Sequence, residues 1–101
     1  MPIITINAKT LQDWLDKNEV VLIDVREDWE HKEASIPGAQ LIPLAQLQHD
    51  NLPAFDGKKL VFHCRSGGRS LAACKKIQEK LPEITVYNLE GGITAWQSCA
   101  G

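Results

Sequence analysis

Residues 60–77 read LVFHCRSGGRSLAACKKI, an apolar run that stops at Cys64, passes two glycines and becomes a helix-like pattern. A thiol at a strand-to-helix turn is a candidate nucleophile. The loop of Arg65, Ser66, Gly67 and Gly68 can curl so that the backbone NH groups from Arg65 to Ser70 point inward and form an anion-binding nest, reinforced by the helix N-terminus. Gly67 and Gly68 permit that curl, because without Cβ atoms they tolerate positive φ and let backbone approach bound atoms closely. In such a cradle, with Arg65 and Arg69 nearby, the Cys64 thiol is expected to ionise well below the free value of roughly 8.5. The thiolate is the reactive form. The same residues also fit a blander arrangement, a buried cysteine that ends a strand beside a flexible glycine turn.

Four residues separate Cys64 from Arg69, so the pattern is C-x4-R-S, one residue shorter than the C-x5-R-S/T loop of cysteine phosphatases. A shorter ring has a smaller mouth, which encloses a terminal sulfur on Cys64 more readily than the three oxygens of a phosphoryl group. The other two cysteines carry weaker cases. Cys74 falls on an apolar stripe with Leu71, Ile77 and Leu81 and reads as core; Cys99 reads as an exposed, incidental thiol. Three cysteines at irregular spacing favour neither a disulfide framework nor a zinc site. His63 is expected to face away from Cys64, since side chains alternate along a strand, and His31 and His49 are expected in solvent. Trp14, Trp29 and Trp96 read as packing anchors rather than a binding cage.

The elements that must position Cys64 alternate along the chain. Strands are expected at IITI (3–6), VVLIDV (20–25), Gln40 to Ile42, KLVF (59–62) and TVYNL (85–89). Helices are expected after Asn7, whose side chain can cap one, in REDWEHKEA, from Arg69 or Ser70 onward, and in GGITAWQS. VVLIDV is continuously apolar or β-branched up to its aspartate, as a strand covered on both faces is. The expected fold is α/β, a central, mostly parallel sheet of about five strands with helices on both faces, built as a single domain over residues 1–101. In such sheets ligands sit at the carboxyl ends of strands, which again points to the loop after Cys64. Apolar residues make up 44% and charged residues 24%, with a formal charge of −2, so no basic surface recommends nucleic acid or anionic membrane as a partner. No stretch approaches the roughly 20 apolar residues of a membrane span, and MPIITINAKT lacks a signal-peptide pattern. A cytoplasmic location is expected.

Three motifs in order carry a family resemblance. LIDVREDWEHKEASIPGAQLIPL (22–44), FHCRSGGRS (62–70) and YNLEGGITAW (87–96) resemble the corresponding stretches of single-domain rhodaneses, which are sulfurtransferases. The resemblance implies a rhodanese-like fold and a persulfide carried on Cys64 between two half-reactions. Thiosulfate or another sulfane-sulfur donor would load Cys64, and cyanide or a thiol would collect the sulfur, with the NH groups of Arg65 to Ser70 stabilising the sulfur and no metal or cofactor needed. It further implies that Arg69 braces the loop against an acidic partner such as Asp24 or Glu30. Arg65 either reaches an anionic donor or is a solvated surface arginine; Ser70 either donates to the cysteine sulfur or caps the helix. Ala34 and Ser35 stand where the family commonly has Gly-His, which removes any role for a histidine there. An alternative is a sulfur-relay or protein-interaction module with little turnover of its own. Because relatives of this kind occur fused to other domains, the chain can also be a piece of something longer.

Overall fold

The computed structural model describes residues 3–100, of Ala100 the backbone alone; Met1, Pro2 and Gly101, the ends of the expected 1–101 domain, lie outside the described residues. Five strands, β1 (Ile3–Ile6), β2 (Val20–Asp24), β3 (Gln40–Leu41), β4 (Lys59–His63) and β5 (Val86–Leu89), form one sheet in the order β1-β5-β4-β2-β3, and every pairing is parallel. Helix α1 (Ala8–Asp16) follows β1, α2 (Asp28–Glu33) follows β2, α3 (Gly68–Lys80) follows β4 and α4 (Gly92–Ala100) follows β5. The segment after β3 forms two 3-10 turns, Leu44–Gln46 and His49–Asn51.

Local chemistry explains these bounds. Asn7 is extended, and its Oδ1 accepts from the Thr10 NH at 2.8 Å, satisfying one of the donors that the first turn of α1 leaves open. All five residues of β2 are buried, as an inner strand with layers on both sides requires. One layer packs Ala73, Cys74 and Ile77 of α3, with Leu47, on Val21, Ile23, Leu60, Phe62 and Val86. The opposite layer packs Leu11 of α1 and Ile93 of α4 on Val20, Leu22, Val61 and Leu89, with Trp14 and Trp96 at its margin. Trp14 meets Tyr87 edge-on at 5.1 Å, so these two tryptophans anchor packing as expected.

Several details differ from the sequence reading. Helix α3 starts at Gly68, before Arg69, and Leu71 is exposed rather than part of the buried stripe; the buried face is Ser70, Ala73, Cys74 and Ile77. At about 100° per residue Leu71 lies a quarter-turn from Ser70, at the stripe's edge. Trp29 is 65% exposed and anchors nothing, because α2 is a short helix whose one buried residue is Glu30.

The register brings the ends of β2 and β4 level. Asp24 pairs with His63, and the Val25 NH continues the ladder to the His63 carbonyl at 3.0 Å. Residues just beyond these two strands therefore meet at one carboxyl edge of the sheet.

Candidate active site

Cys64 leaves β4 at that edge and turns directly into the loop that starts α3. The Gly67 NH donates to Cys64 Sγ at 3.0 Å, and the Ser70 hydroxyl lies 3.5 Å from the same sulfur. Gly67 has φ +117°, a conformation that side chains rarely adopt, and this aims its NH back at the sulfur. Gly68 needs no such freedom: it has no positive φ and opens the helix. Burial pushes the Cys64 thiol up, but the Ser70 hydroxyl and the NH groups of Ser70, Gly67 and Ser66 together outweigh it, so the thiol is held below its ordinary range. The nest around the sulfur is thus narrower than the expected run from Arg65 to Ser70. Leu71 NH makes the first helical bond, to the Gly67 carbonyl at 3.1 Å, so the NH groups of Gly68 and Arg69 are open donors at the helix start. Cys64 itself is 1% exposed.

Acidic partners at the edge are shared out cleanly. Arg69 sends two parallel bonds to Glu30, Nη1 to Oε1 at 2.7 Å and Nη2 to Oε2 at 2.9 Å, tying the start of α3 to α2. The Arg69 guanidinium holds the Glu30 carboxyl down at about 2, with a further contribution from the Glu27 NH, against the effect of burial. Asp24, the other acid at this edge, belongs to Arg26, whose Nε and Nη2 grip both carboxylate oxygens while Nη2 also donates to the Ala34 carbonyl. Burial alone would raise the Asp24 carboxyl; Arg26, His31 and His63 outweigh it and bring the group to about 2. His31 is therefore not in solvent as expected: its Nδ1 sits 2.9 Å from Asp24 Oδ2, and its side chain is 26% exposed. His63 is wholly buried, with Nδ1 3.3 Å from the Cys64 carbonyl and Nε2 unpartnered, 3.8 Å from Asp24. Burial keeps its imidazole below the usual range, against the pull of Asp24, and no bond joins it to the thiol sulfur.

Arg65 is exposed and lines a cleft of about 330 Å³ with Trp29, Glu33, Ile93, Thr94 and Gln97. Cys74 is buried, and its thiol is pushed up to about 12 by desolvation, whereas Cys99 is exposed. Among the described residues no three His, Cys, Asp or Glu side chains are grouped to hold a metal ion, and no helix is long and apolar enough to cross a membrane.

Two contributors escaped the sequence reading. Gly92 has φ +56°, and a Cβ there would collide with the Cys64 carbonyl oxygen and the Arg65 carbonyl group. The bare glycine lets the start of α4 clamp the loop, with Ile93 NH bonded to the Cys64 carbonyl at 2.9 Å and Thr94 NH to that of Arg65 at 3.3 Å. The glycine pair at 91–92 is the sequence signal for such a close approach. The second contributor is Asn88 of β5, buried beside Ser70, which only the fold brings to the loop.

Comparisons with known proteins agree with this architecture. A family described as the rhodanese-like domain matches residues 7–99. The putative sulfurtransferase YtwF of Bacillus subtilis is 37% identical over 98 residues, covering 96% of this chain and 93% of that protein. The thiosulfate sulfurtransferase GlpE of Pseudoalteromonas translucida is 31% identical over 91 residues, covering 90% and 85%. The crystal structure of a rhodanese-related protein from Thermoplasma volcanium superposes with a TM-score of 0.78 at 31% identity, covering 94% of this chain and 91% of that one. Coverage is not uniform: the chain spans about half, 52%, of the uncharacterized protein slr1261 of Synechocystis, to which it is 37% identical over 94 residues.

Proposed function

The chain belongs to the family of rhodanese-like domains, and on that premise we propose that residues 1–101 act as a single sulfurtransferase domain whose nucleophile is Cys64. The Cys64 thiolate attacks the outer sulfur of thiosulfate or of a persulfide. The donor's S–S bond breaks, sulfite or a thiolate leaves with the bonding pair, and Cys64 holds a persulfide. A thiophilic acceptor, cyanide or a thiolate, then attacks the outer sulfur; the new bond forms as the Cys64 S–S bond breaks and the thiolate returns.

Ser66, Gly67 and Ser70 hold the attacking sulfur, and the open amides of Gly68 and Arg69 at the start of α3 are placed for the second sulfur. Arg69 braces the loop through Glu30, and exposed Arg65 offers its charge to an anionic donor. One observation supports this reading above the rest: the 3.0 Å bond from the Gly67 NH to Sγ in a loop that lowers the thiol's pKa. Chemistry of this kind needs Cys64 reduced, as in the cytoplasm.

A second reading, transfer to a protein rather than a small thiol, is favoured by the exposed Trp29 indole beside Arg65.

The test is intact mass after mixing with thiosulfate. Wild type should gain one sulfur atom and lose it to cyanide as thiocyanate, while Cys64→Ser should gain none. Equal gain by both proteins, or none by wild type whose Cys64 reacts with iodoacetamide, would remove Cys64 from the reaction. A loaded protein that yields sulfur only to another protein would select the relay.

A further inference from the structure

Ser70 has one hydroxyl hydrogen and three neighbours that compete for it. The Gly67 carbonyl lies 3.1 Å from Ser70 Oγ, Asn88 Oδ1 2.5 Å and Cys64 Sγ 3.5 Å. Two of these are oxygens that can only accept. With the hydroxyl committed to either of them, its remaining link to the sulfur is to accept from a protonated thiol. A hydroxyl committed in this way suits a neutral Cys64. When the thiol ionises, S–H ceases to be a donor, and the Ser70 hydrogen must turn to the sulfur.

At that point Ser70 Oγ would present lone pairs to Asn88 Oδ1 as well as to the Gly67 carbonyl, unfavourable contacts in a buried place, and the first of them is the shorter. Asn88 can relieve that one. Its terminal torsion is broad and two-fold, and a half-turn presents Nδ2 to Ser70, completing a chain from Asn88 Nδ2–H through Ser70 O–H to the Cys64 thiolate. The half-turn gives up the Nδ2 bond to the Gly67 carbonyl, long at 3.5 Å, and turns Oδ1 toward that carbonyl in its place, a cost weighed against a hydrogen bond delivered to a thiolate. Asn88 is 7% exposed, and its side-chain bonds among the described residues go to Ser70 and to Gly67.

We infer that Asn88 is a positioning residue for the sulfur chemistry: the face its carboxamide turns to Ser70 sets whether that hydroxyl accepts from the Cys64 thiol or donates to the thiolate. The inference rests on Cys64 as the reacting thiol, yet it concerns ionisation alone and is measured without any sulfur transfer. Other groups around the sulfur remain as they are. Arg69 on α3 is paired with Glu30, Asp24 on β2 with Arg26, and His63 on β4 is buried; β5 and the start of α4 bring Asn88, Ile93 and Thr94, none of them charged.

Asn88→Asp keeps the shape and removes the donor face. In the Ser70 background, alkylation of Cys64 by iodoacetamide at pH 7 should slow about tenfold, the scale of one hydrogen bond to a charged group, and the pH midpoint should rise with the limiting rate at high pH retained. The added charge alone would act equally without Ser70, so the same substitution is made in Ser70→Ala, where the shift should be at least about threefold smaller. Equal shifts in both backgrounds, or none in either, would overturn the inference. Should Asn88→Asp not fold, the side-chain amide resonances of Asn88 in the wild type decide. They should move with the Cys64 midpoint and stay fixed in Cys64→Ser; resonances that ignore the titration would overturn it.

Discussion

Removing the Arg69–Glu30 pair tests whether a bidentate bond across two helices holds the loop in place. Glu30→Gln is the mild perturbation, because glutamine can still accept from the Glu27 NH as Glu30 Oε1 does at 3.0 Å. Arg69→Ala removes the fork, and the double variant closes a cycle. Lowering the carboxyl from 4.5 to about 2 corresponds to a ceiling of roughly 3 kcal/mol. That ceiling includes the Glu27 NH and Arg26, and the Arg69 side chain is 38% exposed and screened by water, so the coupling expected is about 1–2 kcal/mol. Because the folded carboxyl titrates lower than the unfolded one, this stability is present above pH 4.5 and lost as the pH falls toward 2. Urea unfolding of the four proteins at pH 7 and pH 3 should show the coupling shrinking at the lower pH, and sulfur loading of both single variants at pH 7 should slow. Single-variant effects that add within about 0.5 kcal/mol at both pH values, with loading at the wild-type rate, would refute the brace.

Gly92→Ala places a methyl group against the Cys64 and Arg65 carbonyls at φ +56°, and thermal unfolding should show a loss of more than about 2 kcal/mol; a wild-type melting temperature would mean that α4 can retreat without cost. Asp24→Asn strips the 4% exposed Arg26 of its charge partner, and the urea midpoint should fall by the equivalent of about 3–5 kcal/mol. At pH 8, peptide mapping after iodoacetamide should find label on Cys64 and Cys99 and none on Cys74, whose thiol is pushed up to about 12 by burial; labelling of Cys74 in step with Cys99 would contradict a closed α3 layer.

Much of the frame was legible because its signals are local. A continuous apolar run marked β2, Asn7 marked the start of α1, and an apolar strand ending at a thiol before two glycines marked the loop and the edge of the sheet where it lies. Side-chain allegiance was less legible. Trp29 is as apolar as Trp14, but only Trp14 has a sheet face to lie on. Ser70 was legible as a donor to the sulfur or a helix cap, but not as part of the buried face of α3, because a stripe is recognised by apolar residues and a serine within it is silent. Gly91 and Gly92 announced a close approach without saying to what.

The chain by itself determined the alternation of strand and helix, the position of Cys64 at a carboxyl edge and the burial of Cys74, since each follows from periodicity or from neighbours within a few residues. Only the tertiary structure decided that Arg69 takes Glu30 while Asp24 keeps Arg26, that His31 joins Asp24, and that Asn88 reaches Ser70. The physical reason is register. Parallel pairing sets the ends of β2, β4 and β5 beside one another, and partners as far apart as residues 30 and 69 meet only once those crossovers are packed.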